Sequence, residues 1–160
     1  SRRRSRRFRG ARRPDGRTRV ILPDVNVLIY AFRTDSADHG RYRAWLESVL
    51  NGPEAYGVSP QVLAALVRVT THPKIFSRPS RLEDAFAFNR TLLSQPNATL
   101  VNPGERHWGI FEALCRQAAA AGNLVQDAWF AALAIEAGCE WISTDRDYAR
   151  FEGLAWRAPW

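Results

Sequence analysis

The run Val20-Ile21-Leu22-Pro23-Asp24-Val25-Asn26-Val27-Leu28-Ile29-Tyr30 constrains this chain more than any other stretch. Apolar residues follow one another without alternation, and one carboxylate interrupts them. An unalternated run of this length predicts a strand buried on both faces, the kind found in parallel sheets covered by helices. Asp24 stands where that strand ends. Ligands in open α/β sheets bind at the carboxyl ends of the strands, which makes Asp24 a site candidate. It is equally a candidate N-cap, accepting from the free N–H groups of the following helix.

The rest of the chain alternates between the two periodicities. Asn26–Arg33 predicts a helix, followed by a turn at 35–38. A second helix from His39 carries Tyr42, Trp45, Leu46, Val49 and Leu50 at helical spacing and stops at Asn51-Gly52-Pro53. Tyr56–Val58 predicts a short strand. Ser59-Pro60 opens a helix whose inner face is Val62, Leu63, Leu66, Val67 and Val69, with Pro60 tolerated in the first turn. Arg81–Leu93 predicts a helix with Leu82, Phe86 and Leu92 inward. Together with the preceding helix it is expected to form a hairpin projecting from one sheet edge. Strand Ala98–Val101, a helix over Glu105–Ala121, a helix over Asp127–Ala137, strand Glu140–Ser143, a helical turn at Asp147–Arg150 and strand Leu154–Trp156 complete the order. Strands separated by helices predict a parallel sheet sheathed on both faces. The six tryptophans, at helical spacing, are expected in the core or at an interface.

Charge divides the chain in two. Residues 1–19 hold ten arginines and one acid, Asp15, for a net +9; because the whole chain is +7, residues 20–160 are left at −2. The basic isoelectric point therefore belongs to the extension, and is weak support for nucleic-acid binding by the domain. The expected organisation is a disordered basic extension over 1–19 and one globular domain over 20–160. The arginines precede no apolar core of a secretory signal, and no apolar run reaches the ~20 residues of a membrane helix. Cys115 and Cys139 have no paired spacing, which argues against a disulfide framework or zinc site and for a reducing cytoplasm.

Three acids share one kind of position. Asp24 follows the first strand, Asp127 opens a strongly apolar helix, and Asp145 follows the strand ending at Ser143, with Asp147 two residues on. A parallel sheet would collect them at one rim. Clustered carboxylates repel one another unless protons or a cation intervene. The hard cations that prefer oxygen ligands, Mg²⁺ and Mn²⁺, suit phosphoryl chemistry at such a rim. Each acid alone also fits a helix cap, so spacing leaves both alternatives open.

From Val20 to Trp160 the chain resembles the PIN-domain ribonucleases, in particular the toxins of VapBC-type toxin–antitoxin pairs. The matching pieces are Leu22–Ala31, Arg68-Val69-Thr70-Thr71-His72-Pro73, Gln126-Asp127-Ala128 with Ala131-Ala132-Leu133-Ala134, and Ser143–Phe151. The resemblance implies an α/β/α sandwich around a parallel sheet. It implies an endoribonuclease dependent on Mg²⁺ or Mn²⁺ that cuts structured RNA, such as transfer or ribosomal RNA loops. Asp24, Asp127 and Asp145 would then be catalytic metal ligands and Asp147 a weaker one. Asn26 would orient the first acid and Thr144 would bond a neighbouring carboxylate. Arg68, His72 and Arg146 would meet RNA phosphates. The implied partners are an antitoxin that brings a basic residue to the acids and a second copy of the chain, both using apolar surface on the early helices.

One position departs from the family pattern. Ala65, in Leu63-Ala64-Ala65-Leu66, stands where the family commonly carries a glutamate. Asp147 or water would have to compensate; otherwise the domain is a catalytically weak or dead module that binds RNA or a partner. A haloacid-dehalogenase-type phosphatase also begins with a strand ending in Asp-x-Asp. Asn26 at the second position, and a single lysine, Lys74, far from the place such a site requires, count against it.

Overall fold

The computed structural model describes residues 18–160, so all but the last two residues of the basic extension lie outside the described residues. The elements follow in the order β1 (Ile21–Pro23), α1 (Val25–Phe32), α2 (His39–Leu50), β2 (Tyr56–Val58), α3 (Pro60–Thr70), α4 (Leu82–Ser94), β3 (Ala98–Leu100), α5 (His107–Gln117), α6 (Asn123–Ala137), β4 (Glu140–Ile142), a 3-10 turn (Arg146–Arg150) and β5 (Trp156–Arg157). The strands form one sheet in the order β3-β2-β1-β4-β5, and every neighbouring pair is parallel. This is the expected α/β/α sandwich. Its central strand is the run that begins the domain.

Pro23 in that strand has no N–H to give, a defect tolerated at a strand end. It pairs in register with Ile142. The next N–H, that of Asp24, bonds Ile142 O at 2.8 Å. The central pairing therefore extends one residue past β1 and fixes the Asp24 backbone against β4. The core on this side is α6, whose Ala128, Ala131, Ala132, Leu133 and Ala134 are all buried. Four small side chains let the helix lie close to the sheet. Trp141 of β4 is fully buried and stacks on Phe130 at 5.4 Å.

Several boundaries differ from the sequence expectation. α5 ends at Gln117, not Ala121. Ala119 takes a positive φ of 49°, and the N–H groups of Ala119 and Ala120 bond Arg116 O and Cys115 O. This is a Schellman ending with alanine where glycine is usual; the run of alanines favours helix locally, but the chain must turn back toward the sheet. Gly122-Asn123 opens α6 rather than separating two helices, so α6 begins four residues before Asp127. Gly138, at φ 67°, ends it in the left-handed conformation that glycine adopts without strain.

The helix α4 is turned from its expected face. Leu92 is buried as expected, together with Ala85 and Asn89, whereas Leu82 is 53% and Phe86 42% exposed. The exposed and buried stripes lie roughly a fifth of a turn apart, and hydrogen bonding selects between them. Asn89 Nδ2 donates to Leu63 O at 3.1 Å, and the buried Tyr56 hydroxyl donates to Leu92 O. These bonds hold α4 against α3 and β2, and α4 also contacts the edge strand β3. Trp45 and Trp141 are in the core, as expected, but Trp108 is 62% exposed.

Candidate active site

β1 and β4 are neighbours and end at the same rim, which brings Asp24 and the segment 143–148 together. Asp24 is buried, at 4% exposure. Its Oδ1 accepts the Val25 N–H at 2.7 Å, capping α1, and its Oδ2 accepts the Ser143 hydroxyl at 2.7 Å. Cap and site candidate are thus one residue using different oxygens. Burial raises its pKa to about 6, against the lowering pull of the bonds from Ser143 and Val25; Asp127 and Asp145 add a smaller upward push.

Asp127 comes from the second turn of α6. Its neighbours' N–H groups are already in the helical ladder, so the N-cap alternative does not hold for it. Its Oδ1 accepts the Tyr148 hydroxyl at 3.3 Å. Burial raises the pKa of Asp127, and Asp145 adds to the rise, while Tyr148 opposes it. Asp145 does cap the 3-10 turn: its Oδ1 accepts the Asp147 N–H at 2.9 Å, and its own N–H donates to Ser143 Oγ at 3.0 Å. Oxygen atoms from Asp127, Asp145 and Asp147 all lie within 4.8 Å of one another. Asp24 stands beside this trio: the charges of Asp127 and Asp145 reach it, and its own charge reaches Tyr148.

Other residues singled out in the sequence fall differently. Arg146, between Asp145 and Asp147, is exposed at the rim. Arg68 lies in the last turn of α3, roughly 12 Å along its axis from the first residue, His72 follows the end of that helix, and neither bonds an acid of the cluster. His72 Nδ1 instead accepts the Lys74 N–H at 3.1 Å. Asn26 is half-buried on α1 and makes no hydrogen bond to the acids among the described residues. Thr144 bonds no carboxylate among the described residues; the hydroxyls that meet the acids are those of Ser143 and Tyr148. Ala65 is half-buried on α3 and adds no ligand. Ser143 and Tyr148 were not singled out from sequence. A serine ending a buried strand is one available signal; the tyrosine, two turns of sequence beyond the strand, reads as core.

Gln61, Phe111, Val125, Gln126, Trp129 and Phe130 line an open groove between α3, α5 and α6, to which none of the four acids contributes. The large exposed apolar side chains among the described residues are on α4, α5, β3 and the segments after α3 and β5, not on the early helices. No helix among the described residues is long and apolar enough to cross a membrane.

Comparison with known proteins accords with this geometry. The PIN domain family model matches residues 21–154. The chain is 43% identical over 140 residues to ribonuclease VapC43 of Mycobacterium tuberculosis, covering 88% of this chain and 95% of that protein. It is 40% identical over 135 residues to ribonuclease VapC25 of the same organism, covering 84% and 95%. Among solved structures, VapBC2 from Rickettsia felis, bound to a DNA fragment from its promoter, superposes with a TM-score of 0.64 at 17% identity, covering 87% of this chain and 98% of that one. M. tuberculosis VapC20, described as a toxin that cleaves the sarcin–ricin loop, superposes with a TM-score of 0.58 at 17% identity, covering 84% and 98%. A PIN match over nearly the whole domain removes the haloacid-dehalogenase alternative. The chain belongs to the PIN-domain family and, within it, to the VapC ribonucleases.

Proposed function

We propose that this chain is a divalent-metal-dependent endoribonuclease and acts as the toxin of a type II toxin–antitoxin pair. The observation that carries the reading is the meeting of Asp127, Asp145 and Asp147 within 4.8 Å, beside the buried Asp24. Four carboxylates and no nitrogen or sulfur donor make a set suited to Mg²⁺ or Mn²⁺. Such a cation, when bound, activates water and offsets charge on the scissile phosphate and leaving oxygen. In this reading Asp24, Asp127 and Asp145 hold the metal, and Asp147 supplies the carboxylate that Ala65 does not.

The chain's own residues do the positioning. Ser143 fixes one oxygen of Asp24 and the backbone of Asp145 with a single hydroxyl. Arg146, exposed next to the acids, offers a guanidinium to an RNA phosphate. RNA loops are the substrate class we favour, because unpaired segments let the backbone enter a rim site. The exposed Leu82, Phe86 and Leu93 on α4 and Trp108 on α5 support protein partners, an antitoxin and a second copy of the chain. Antitoxin complexes among the structural neighbours support the same pairing. Two free cysteines suit the cytoplasm, where we place the protein.

The test is to incubate the full chain with total transfer and ribosomal RNA in Mg²⁺, Mn²⁺ or EDTA, and to map new ends. Discrete cuts that require metal are expected. A folded protein that cuts nothing in either metal would leave a binding module in place of the nuclease.

A further inference from the structure

The Asp127 carboxylate differs from the other acids in how it is held. Asp24 and Asp145 each accept a backbone N–H in a capping geometry. Asp127 sits inside a helix, where neighbouring N–H groups are committed. Among the described residues its hydrogen-bond partner is the Tyr148 hydroxyl. That hydroxyl is held from behind. The Tyr148 ring is buried, tilted against Trp141 at 5.4 Å and Phe151 at 6.0 Å, and the 3-10 turn carrying it packs on α6. The ring cannot swing to solvent, so the hydroxyl stays at the base of the acid cluster.

We propose that Tyr148 is a positioning residue for Asp127: its phenol donates to Oδ1, selects one orientation of the carboxylate, and leaves the remaining lone pairs for a divalent cation. An ionised carboxylate has about four lone-pair sites, and the phenol occupies one. The separation of 3.3 Å is long for a hydroxyl bond; bonds of this kind often tighten once the site is loaded. Groups that orient metal ligands typically change metal affinity by about 10–100-fold when removed. The inference rests on the metal-site reading above.

The experiment is a Mn²⁺ titration of the metal-stripped full chain, with free Mn²⁺ read by electron paramagnetic resonance. Tyr148→Phe removes the hydroxyl and keeps the ring. Phe151→Leu disturbs the packing around the ring and keeps the hydroxyl. Tyr148→Phe is expected to weaken Mn²⁺ binding by about tenfold or more with its melting temperature nearly retained. Phe151→Leu is expected to lower the melting temperature and leave Mn²⁺ affinity in place. Equal affinity in Tyr148→Phe and the unaltered chain would overturn the inference. So would an equal loss in both variants, because packing and not the hydroxyl would then be responsible. If the unaltered chain binds Mn²⁺ no better than an Asp24→Asn, Asp127→Asn double variant, the metal-site reading itself fails.

Discussion

Ser143 Oγ donates to Asp24 Oδ2 at 2.7 Å, joining two residues 119 positions apart in sequence. The contact follows from sheet register. Pro23 of β1 pairs with Ile142 of β4, so the next residue of each strand emerges at the same rim, side by side. The same oxygen accepts the Asp145 N–H at 3.0 Å. One buried hydroxyl thus ties the first acid to the loop that carries the last two.

Ser143→Ala should therefore damage the site more than the fold. Losing the bond to Asp24 removes the largest influence that lowers its pKa, so the carboxyl should ionise at still higher pH. The expected loss of cleavage is about 10–100-fold, with the acid limb of the pH–rate profile moved upward. Stability should fall by about 1–3 kcal/mol, as for a buried acceptor left unpaired. Rate profiles and thermal melts of the same preparation check both.

Metal-free protein should lose stability as pH rises through the range set by Asp24. Its folded pKa of about 6 lies above the ordinary 3.8, so the folded chain holds this proton more tightly than the unfolded one. The contribution is full below pH 3.8 and lost as pH passes about 6. It amounts to roughly 3 kcal/mol, at about 1.4 kcal/mol for each tenfold change in proton affinity. Asp24→Asn should remove this share of the slope and leave that of Asp127, whose pKa is also raised, and in EDTA at pH 7 it should be more stable than the unaltered chain. Denaturant titrations across pH 4–8, compared between the two proteins, isolate the term.

Much of this arrangement is legible in the sequence. Val20–Pro23 announces the central strand because nothing in it alternates, and the acids after β1 and β4 follow as rim residues. Asp127 is harder: Gly122-Asn123 looks like a stop, and only the folded chain shows that α6 starts there. Leu82 and Phe86 mislead because both stripes of α4 are apolar. Asn89 and the Tyr56 hydroxyl choose the other stripe through hydrogen bonds to backbone carbonyls distant in sequence. Ser143 escapes notice beside Thr144 for a similar reason, since which of two adjacent hydroxyls faces inward is a matter of strand phase.

Arg33 should resist conservative replacement although it is remote from the proposed chemistry. Its buried guanidinium meets Asp35 through Nε and Nη2 at 2.9 and 2.6 Å, Ser80 Oγ at 3.0 Å and Arg78 O at 2.9 Å, and lies 3.8 Å over the Phe76 ring. A lysine cannot reproduce this planar fork. Arg33→Lys is expected to cost about 2 kcal/mol and to lower the melting temperature by roughly 4–8 °C. Cleavage per folded molecule at 25 °C should be unchanged.

Arg146 should act on RNA through charge alone. Arg146→Ala is expected to weaken RNA binding most at low salt and to reduce the slope of log affinity against log salt by about 1. The measurement is RNA affinity of the full chain in EDTA from 50 to 300 mM salt. An unchanged slope would place the phosphate contact elsewhere.

The central claim is that clustered acids hold a metal that cuts RNA. Its most direct test compares the full chain with its Asp24→Asn, Asp127→Asn double variant on transfer and ribosomal RNA, each in Mn²⁺ and in EDTA. Discrete cuts by the unaltered chain in Mn²⁺, and none in EDTA or from the double variant, are expected. Cleavage that persists in the double variant, with or without metal, would contradict it.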